Sequence, residues 1–367
     1  MAYQLTAEDR APDRFLVRFA AGVPHARIAA INASHDVEQI GEVPGVRIAV
    51  LKVPAGSTPE EMIEAYSTQA EVEFAEGDWV YRAAALPNAR LPANGSPSLE
   101  RVGAAGAWSV TIGEPDVHLA VLDTGIDPGH PDFAGRLRAG YDFVNKDADA
   151  SDDHGHGTAC AGIAAATGDD GLGAVGMDWR CALVPLKVLD ARGMGHASDM
   201  ARALVWAADS DTDVIALGMA GPQTDTLDAA VAYAVSSGSV LVAPAGDDGL
   251  AELSYPAACE GVLAVGASQG DDLAYFSNCG PELDVCAPGV SVRTCAPGGG
   301  ETVFTGTSAA APFVAGLATL MLAEDPSLSA GDVAQRIART AQDLGEPGFD
   351  DVFGWGRVDA AAALAVR

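Results

Sequence analysis

Apolar residues occur in two textures along this 367-residue chain. The first eighty-odd residues alternate short half-polar runs with amphipathic stretches. Phe15–Phe19 reads as a strand, and a helical stretch after Pro24 gathers Ile28, Ala29 and Ile31 on one side. Strands over Val37–Ile40 and Val46–Val53 flank the turn signal Pro44-Gly45. Thr58-Pro59-Glu60-Glu61 then combines an N-cap Thr, a Pro at the first helical position and a capping-box Glu. It opens a helix through Met62, Ile63 and Tyr66, and Val72–Tyr81 closes the unit as a strand. The order βαββαβ predicts a small ferredoxin-like α+β domain over residues 1–82.

Residues 83–98 are rich in Ala, Pro, Asn and Gly without apolar periodicity, and read as an exposed linker. Over residues 99–367 the texture changes to short, continuous apolar runs. Val117–Leu122, Ala182–Leu189, Val214–Leu217, Ser239–Pro244 and Val262–Ala267 alternate with helical stretches such as Ser198–Ala208 and Thr226–Ser236. Such runs suit strands buried on both faces, so the larger unit is expected to be α/β, a parallel sheet flanked by helices. Ala309–Ala323 is apolar on every side and is expected to be a core helix.

Charge narrows the partners. Lys and Arg number 21 against 51 Asp and Glu, a net charge of −30, which argues against nucleic acid and anionic membrane. No run of 18 or more apolar residues predicts a membrane span. The first residues lack a basic stretch followed by an apolar one, so the chain reads as cytoplasmic as written, or as secreted if a leader has been trimmed. A monomer is expected. Cys160, Cys181, Cys259, Cys279, Cys286 and Cys295 lack zinc-site spacing and fit either one or two disulfides or free thiols. His25 and His196 lack ligand-type neighbours in sequence and are expected on the surface.

Candidate chemistry stands at strand ends and helix starts. Asp123-Thr124-Gly125 follows the strand Val117–Leu122, His156-Gly157-Thr158 opens a small-residue helix, and Gly306-Thr307-Ser308 opens the apolar one. A Ser hydroxyl becomes a nucleophile when a neutral imidazole takes its proton and a carboxylate fixes that imidazole. A helix N-terminus under the Ser offers free N–H groups to an oxyanion. Singly, each residue is equally at home as a cap or turn residue. The chain order Asp, His, Ser is that of subtilisin.

The segments Val121–Asp132, His154–Gly162 and Gly306–Pro312 resemble the three signature segments of the subtilisin-like proteases, thermitase-like branch, over roughly residues 100–360. The first domain similarly resembles the peptidase-inhibitor prodomains that precede many of them. The resemblance implies a serine endopeptidase working through an acyl-enzyme on protein or peptide substrates. Asp123, His156 and Ser308 are its implied triad. The chain's own prodomain would occupy the active-site cleft until cleaved in the linker.

It also exposes departures. Asp247 stands where the family places an oxyanion-hole Asn, which donates a hydrogen bond where an ionised Asp only accepts. A protonated Asp247 would donate, and burial beside Asp248 favours that form. Gly218, Met219 and Ala220 replace the Ser-Leu-Gly edge that pairs with substrate, and with Pro244, Ala245, Gly246 and Ser254 they are the implied walls of the first specificity pocket. Ca²⁺ is implied at the loop carrying Asp142, Asp147 and Asp149, and at Asp132 with Asp169. Tyr255-Pro256 occupies a position where the family often has a cis peptide. Two alternatives follow: Asp247 and the altered Gly218–Ala220 edge suggest a weak subtilase fold that binds peptides without turning them over, and Asp247 alone suggests a sedolisin-like acid peptidase.

Overall fold

The computed structural model describes residues 9–84, 97–169 and 173–366. The N-terminal unit has the expected order: strand Arg10–Phe19, helix His25–Ser34, strands Gln39–Val43 and Ile48–Lys52, helix Pro59–Ser67 and strand Val72–Ala83. The capping box forms, with Thr58 Oγ1 accepting from Glu61 N at 3.3 Å and Glu61 Oε2 accepting from Thr58 N at 3.0 Å. The antiparallel sheet runs in the spatial order last strand, first, third, second.

Strand alternation divides the faces of this sheet. Phe15, Val17 and Leu51 pack beneath the unit's own helices with Ile31 and Tyr66. Leu16, Ile48 and Val50 face the other way and join a cluster with Met200, Leu204 and Val205 of the second domain. The small domain therefore shares its second hydrophobic face with the large one. Its last strand is longer than the sequence reading by two residues, because Arg82 and Ala83 find partners outside the small domain.

The large domain is built on seven parallel strands. Their spatial order is Tyr141–Asp142, Ala182–Lys187, His118–Asp123, Val214–Leu217, Val240–Pro244, Val262–Gln269 and Val285–Pro288. Helices Ala197–Asp209 and Asp225–Ser236 pack with one face of the sheet, and His156–Ala165 and Thr307–Glu324 with the other. Thr307–Glu324 has the length and composition of a membrane span, yet it is almost wholly buried in the protein core. After His118–Asp123 the chain adds strands first on one side and then on the other. Asp123 thus ends the strand at the topological switch point, where α/β folds open a crevice.

All six cysteines are free thiols, which settles the open choice between thiols and disulfides in this structure. The Tyr255–Pro256 peptide is cis. His25 is exposed as expected, whereas His196 is half-buried, because the strand Met194–His196 lies under the tail of the small domain. The linker expectation falls mostly on residues 85–96, outside the described residues. Its end differs from the expectation, since Pro97–Arg101 is already helical.

Candidate active site

Three distant segments meet at the crevice. Asp123 is fully buried at its strand end, and both its carboxylate oxygens lie at 2.7 and 2.8 Å from His156 Nδ1. His156 Nε2 stands 3.2 Å from Ser308 Oγ. The edge of the imidazole packs on Phe304, with ring centroids 5.1 Å apart. Cys160, one turn along the His156 helix, places its sulfur 3.7 Å from Nδ1. Burial opposes a charge on His156, but Asp123 outweighs it, assisted by Asp152 and the Ala84 carbonyl, and the imidazole is raised above its ordinary pKa.

The last strand of the small domain enters this site as a peptide would. Arg82 and Ala83 pair antiparallel with Ala220 and Met219, while Val80, Tyr81 and Arg82 pair antiparallel with His196, Gly195 and Met194. The tail is the middle strand of three, which is peptide recognition by strand addition. It ends with the Ala84 carbonyl accepting a hydrogen bond from Ser308 Oγ.

Two carboxylates anchor this strand. Glu76 accepts from the N–H groups of Asp225 (3.1 Å) and Thr226 (2.8 Å), at the start of helix Asp225–Ser236. Asp78, fully buried, accepts from Ser198 N and Oγ at the start of helix Ala197–Asp209 and from Arg14 Nε at 2.6 Å. Each meets the unpaired N–H groups and positive end of a helix dipole. Neither anchor was legible from spacing, because both caps cross between domains.

Asp247 lies beside Thr307 and Ser308. Its Oδ1 accepts from Thr307 N at 2.7 Å and Thr307 Oγ1 at 2.8 Å, while Oδ2 is buried without a partner. Burial raises its pKa, and the Thr307 hydrogen bonds and His156 only partly offset that rise. Ionised, the carboxylate would leave a bare anionic oxygen in the crevice; protonated on Oδ2, it presents an O–H.

Known proteins with this arrangement agree with it. The profile described as the subtilase family matches residues 114–356, and that described as the fervidolysin N-terminal prodomain matches residues 4–78. The chain belongs to the subtilase family. It is a subtilisin-like serine endopeptidase preceded by a prodomain. The thermophilic serine proteinase of Bacillus sp. (strain AK1) is 38% identical over 317 residues, covering 86% of this chain and 77% of the relative. Thermitase of Thermoactinomyces vulgaris is 35% identical over 267 residues, covering 72% of this chain and 94% of the relative. In fold, fervidolysin of Fervidobacterium pennivorans superposes with a TM-score of 0.85 at 23% identity, over 99% of this chain and 62% of its own longer chain.

Within this subtilase the expected pocket residues divide. A cavity of about 430 Å³ opens beside Ala84, with Ala220, Asp248, Glu252, Ser254 and Tyr255 in its wall. Met219 contributes the backbone edge. Gly218 instead backs Asp123: a Cβ there would sit 1.7 Å from Asp123 Oδ2. Pro244, Ala245 and Gly246 lie outside the cavity lining. Gly246, at φ 110°, lets the loop pass where a Cβ would collide with Ser254 and Asn278. Asn278, buried and not expected from the sequence, accepts from the N–H groups of Asp248 and Leu250 and so shapes the pocket rim.

The two acidic loops also differ. Asp142 has both oxygens engaged by Asn145, Asp147 Oδ1 accepts from Asp149 N, and Asp149 Oδ1 accepts from Ser151. Each of these carboxylates accepts hydrogen bonds from its own loop. Asp132 is buried with Oδ1 unpartnered, and a Cβ on Gly173 would fall 2.2 Å from its Oδ2. That orphaned oxygen, beside a loop held open by glycine, fits a hard cation. His130 and Cys295 border the same carboxylate. Asp169, its expected companion, is exposed at the edge of the described part of its loop.

Proposed function

We propose that Asp123, His156 and Ser308 are the catalytic triad of this endopeptidase, and that its first substrate is its own chain at the Ala84–Ala85 bond. The observation that carries this reading is the Ala84 carbonyl against Ser308 Oγ, at the end of a strand paired in register with Met219 and Ala220. Ser308 Oγ attacks the carbonyl carbon as His156 Nε2 takes its proton. Asp123, bonded to Nδ1, fixes the tautomer and stabilises the imidazolium. The Ser308 N–H, at the head of the core helix, receives the developing oxyanion together with Asp247 Oδ2–H. His156 then returns the proton to the leaving amine, and water resolves the acyl-enzyme.

After cleavage, pairing on two sides and the Glu76 and Asp78 caps hold the tail in place, so the processed enzyme remains inhibited by its product. Domain limits of 1–84 and 85–367 follow for the mature form. The family commonly binds Ca²⁺, and here Asp132, with its unpartnered Oδ1, would hold it. It would supply positive charge to a buried carboxylate. The cavity beside Ala84 exceeds an alanine methyl and suits longer side chains at the residue before the cut.

Intact mass of the purified protein beside Ser308→Ala tests the reading. A wild-type fragment beginning at Ala85 and an uncut variant are expected. Cleavage of Ser308→Ala at the same bond would exclude Ser308 as nucleophile. A wild-type cut elsewhere would move the site.

A further inference from the structure

Asp152 has no part in the chemistry described so far, yet its half-buried carboxylate accepts five hydrogen bonds. Oδ1 takes Thr124 Oγ1 at 2.8 Å, His154 N at 3.0 Å and Gly155 N at 2.7 Å. Oδ2 takes Thr158 N at 2.9 Å and Thr158 Oγ1 at 2.6 Å. These donors belong to two different elements. Thr124 directly follows Asp123 at the end of its strand, while Gly155 and Thr158 flank His156 at the start of its helix. Gly155, the N-cap of that helix, has no side chain to cap it, so Asp152 supplies the cap from three residues upstream. Thr124 Oγ1 also accepts from Gly157 N at 2.9 Å, closing a second link between strand and helix. Lys187 Nζ holds the Thr124 carbonyl from the other side at 2.7 Å.

We infer that Asp152 is a positioning residue for the proteolytic reaction, a carboxylate that ties the strand end bearing Asp123 to the helix start bearing His156 and so sets their distance. Its hydrogen bonds outweigh its burial and hold it well within the ionised range at neutral pH. The inference rests on Asp123 and His156 acting as proposed above. Two short oxygen contacts to Nδ1 demand that both residues be fixed to a few tenths of an ångström, and neither gets that from its own backbone element alone. The lever is large, because a misplacement of about 1 Å costs on the order of a hundredfold in rate. Asp152 also adds negative charge near His156. The other titratable groups around that imidazole are Asp123, Cys160, Asp247 and His154, and beyond Thr124 the Lys187–Asp153 pair.

The test expresses the full chain, dilutes it until the processed tail is released, and uses a tetrapeptide anilide, comparing wild type, Asp152→Asn and Thr158→Val, with uncut Ser308→Ala as the control. Asp152→Asn keeps the shape but loses the charge and presents an N–H₂ to Thr158. It should lower kcat about tenfold or more, with KM within about twofold. The acid limb of kcat/KM should move to lower pH, since removing the anion makes His156 easier to deprotonate. Thr158→Val keeps the charge and removes the Thr158 Oγ1 bond while the backbone N–H bond remains, so kcat falls, by less than in Asp152→Asn, while the acid limb stays. Wild-type kcat and pH profile in Asp152→Asn, or a loss confined to KM, overturns the assignment. Should Asp152→Asn fail to accumulate as folded protein, unchanged kcat in Thr158→Val overturns it instead. Residual wild-type activity in Ser308→Ala would sink the triad reading itself, which is a separate failure.

Discussion

Replacing Asp247 by Asn leaves the side chain's shape unchanged and exchanges one oxygen for an amide nitrogen beside the nucleophile. In the wild type Oδ1 is committed to Thr307, so donation toward an oxyanion falls to Oδ2, which has no protein partner. Only the protonated acid can donate from there. On the mechanism proposed above, activity needs Asp247 protonated and His156 neutral, and these demands pull in opposite directions along the pH axis. Both groups are raised, Asp247 chiefly by burial and His156 by Asp123 against its own burial. Activity should rise as His156 loses its proton and fall as Asp247 loses its own, giving a bell-shaped profile. One oxyanion-hole donor contributes about 10²–10³ in kcat, or about 2.7–4 kcal/mol. Asp247→Asn donates at every pH, so kcat should increase by about that factor above the Asp247 pKa and change little below it. The alkaline limb should disappear, and KM should stay nearly constant because the contact is made in the transition state. Initial rates of the processed enzyme on a peptide anilide across acid to alkaline pH measure all three. Superimposable pH profiles for the two proteins, or a lower kcat for Asp247→Asn throughout, would refute the reasoning. Thr307→Val supplies an internal check: the hydrogen bonds from Thr307 hold the Asp247 pKa down, so removing its hydroxyl should carry the alkaline limb to higher pH.

Other parts of the structure lend themselves to simpler tests. Glu76→Ala strips the cap from helix Asp225–Ser236, so on dilution the processed complex should become active at concentrations about tenfold to a hundredfold higher than wild type. An unchanged dilution curve would remove Glu76 from the inhibitory interface. Ala84→Leu extends into the adjoining cavity, and about 1–2 kcal/mol of added burial should hold the processed tail roughly tenfold more tightly. Earlier release on dilution would show that the cavity rejects an apolar side chain. Chelation of divalent ions should lower the melting temperature of the Ser308→Ala proenzyme, and Asp132→Asn should abolish that response. A response that survives Asp132→Asn would place the cation elsewhere.

Much of this subtilase was legible from local pattern. Five strands of the parallel sheet are visible as continuous apolar runs, because a parallel strand covered on both faces has nowhere to put a polar side chain; the short edge strands Tyr141–Asp142 and Val285–Pro288 are not among them. The capping box at Thr58 and the buried helix after Ser308 were equally visible, since both are set by residues within one turn or one face. Asp123, His156 and Ser308 were named because each follows a recognisable strand end or begins a helix, in an order that resembles one family. The resemblance implies Gly218 at the substrate edge, and in the fold it makes room for the Asp123 carboxylate, a neighbour 95 positions away in the chain. The Asp142 loop has the composition of a cation site, but the hydrogen bonds its carboxylates take from the loop's own donors are set by the turn and not by composition.

The active site with which this chain begins its chemistry is therefore of two origins. Which residue types do the work follows from sequence, because the reaction requires a nucleophile, a base and a carboxylate, and few motifs supply all three. Where those residues point, and what lies against them, was decided by tertiary contacts. Ala84 meets Ser308 across 224 residues, Asp78 reaches Ser198 across 120, and Asp247 turns one oxygen to Thr307 across 60. Such contacts exist only after strands pair and helices dock. No local periodicity records them, and the sheet edge that seats the tail of the small domain is as much a product of folding as the Asp123–His156–Ser308 geometry itself.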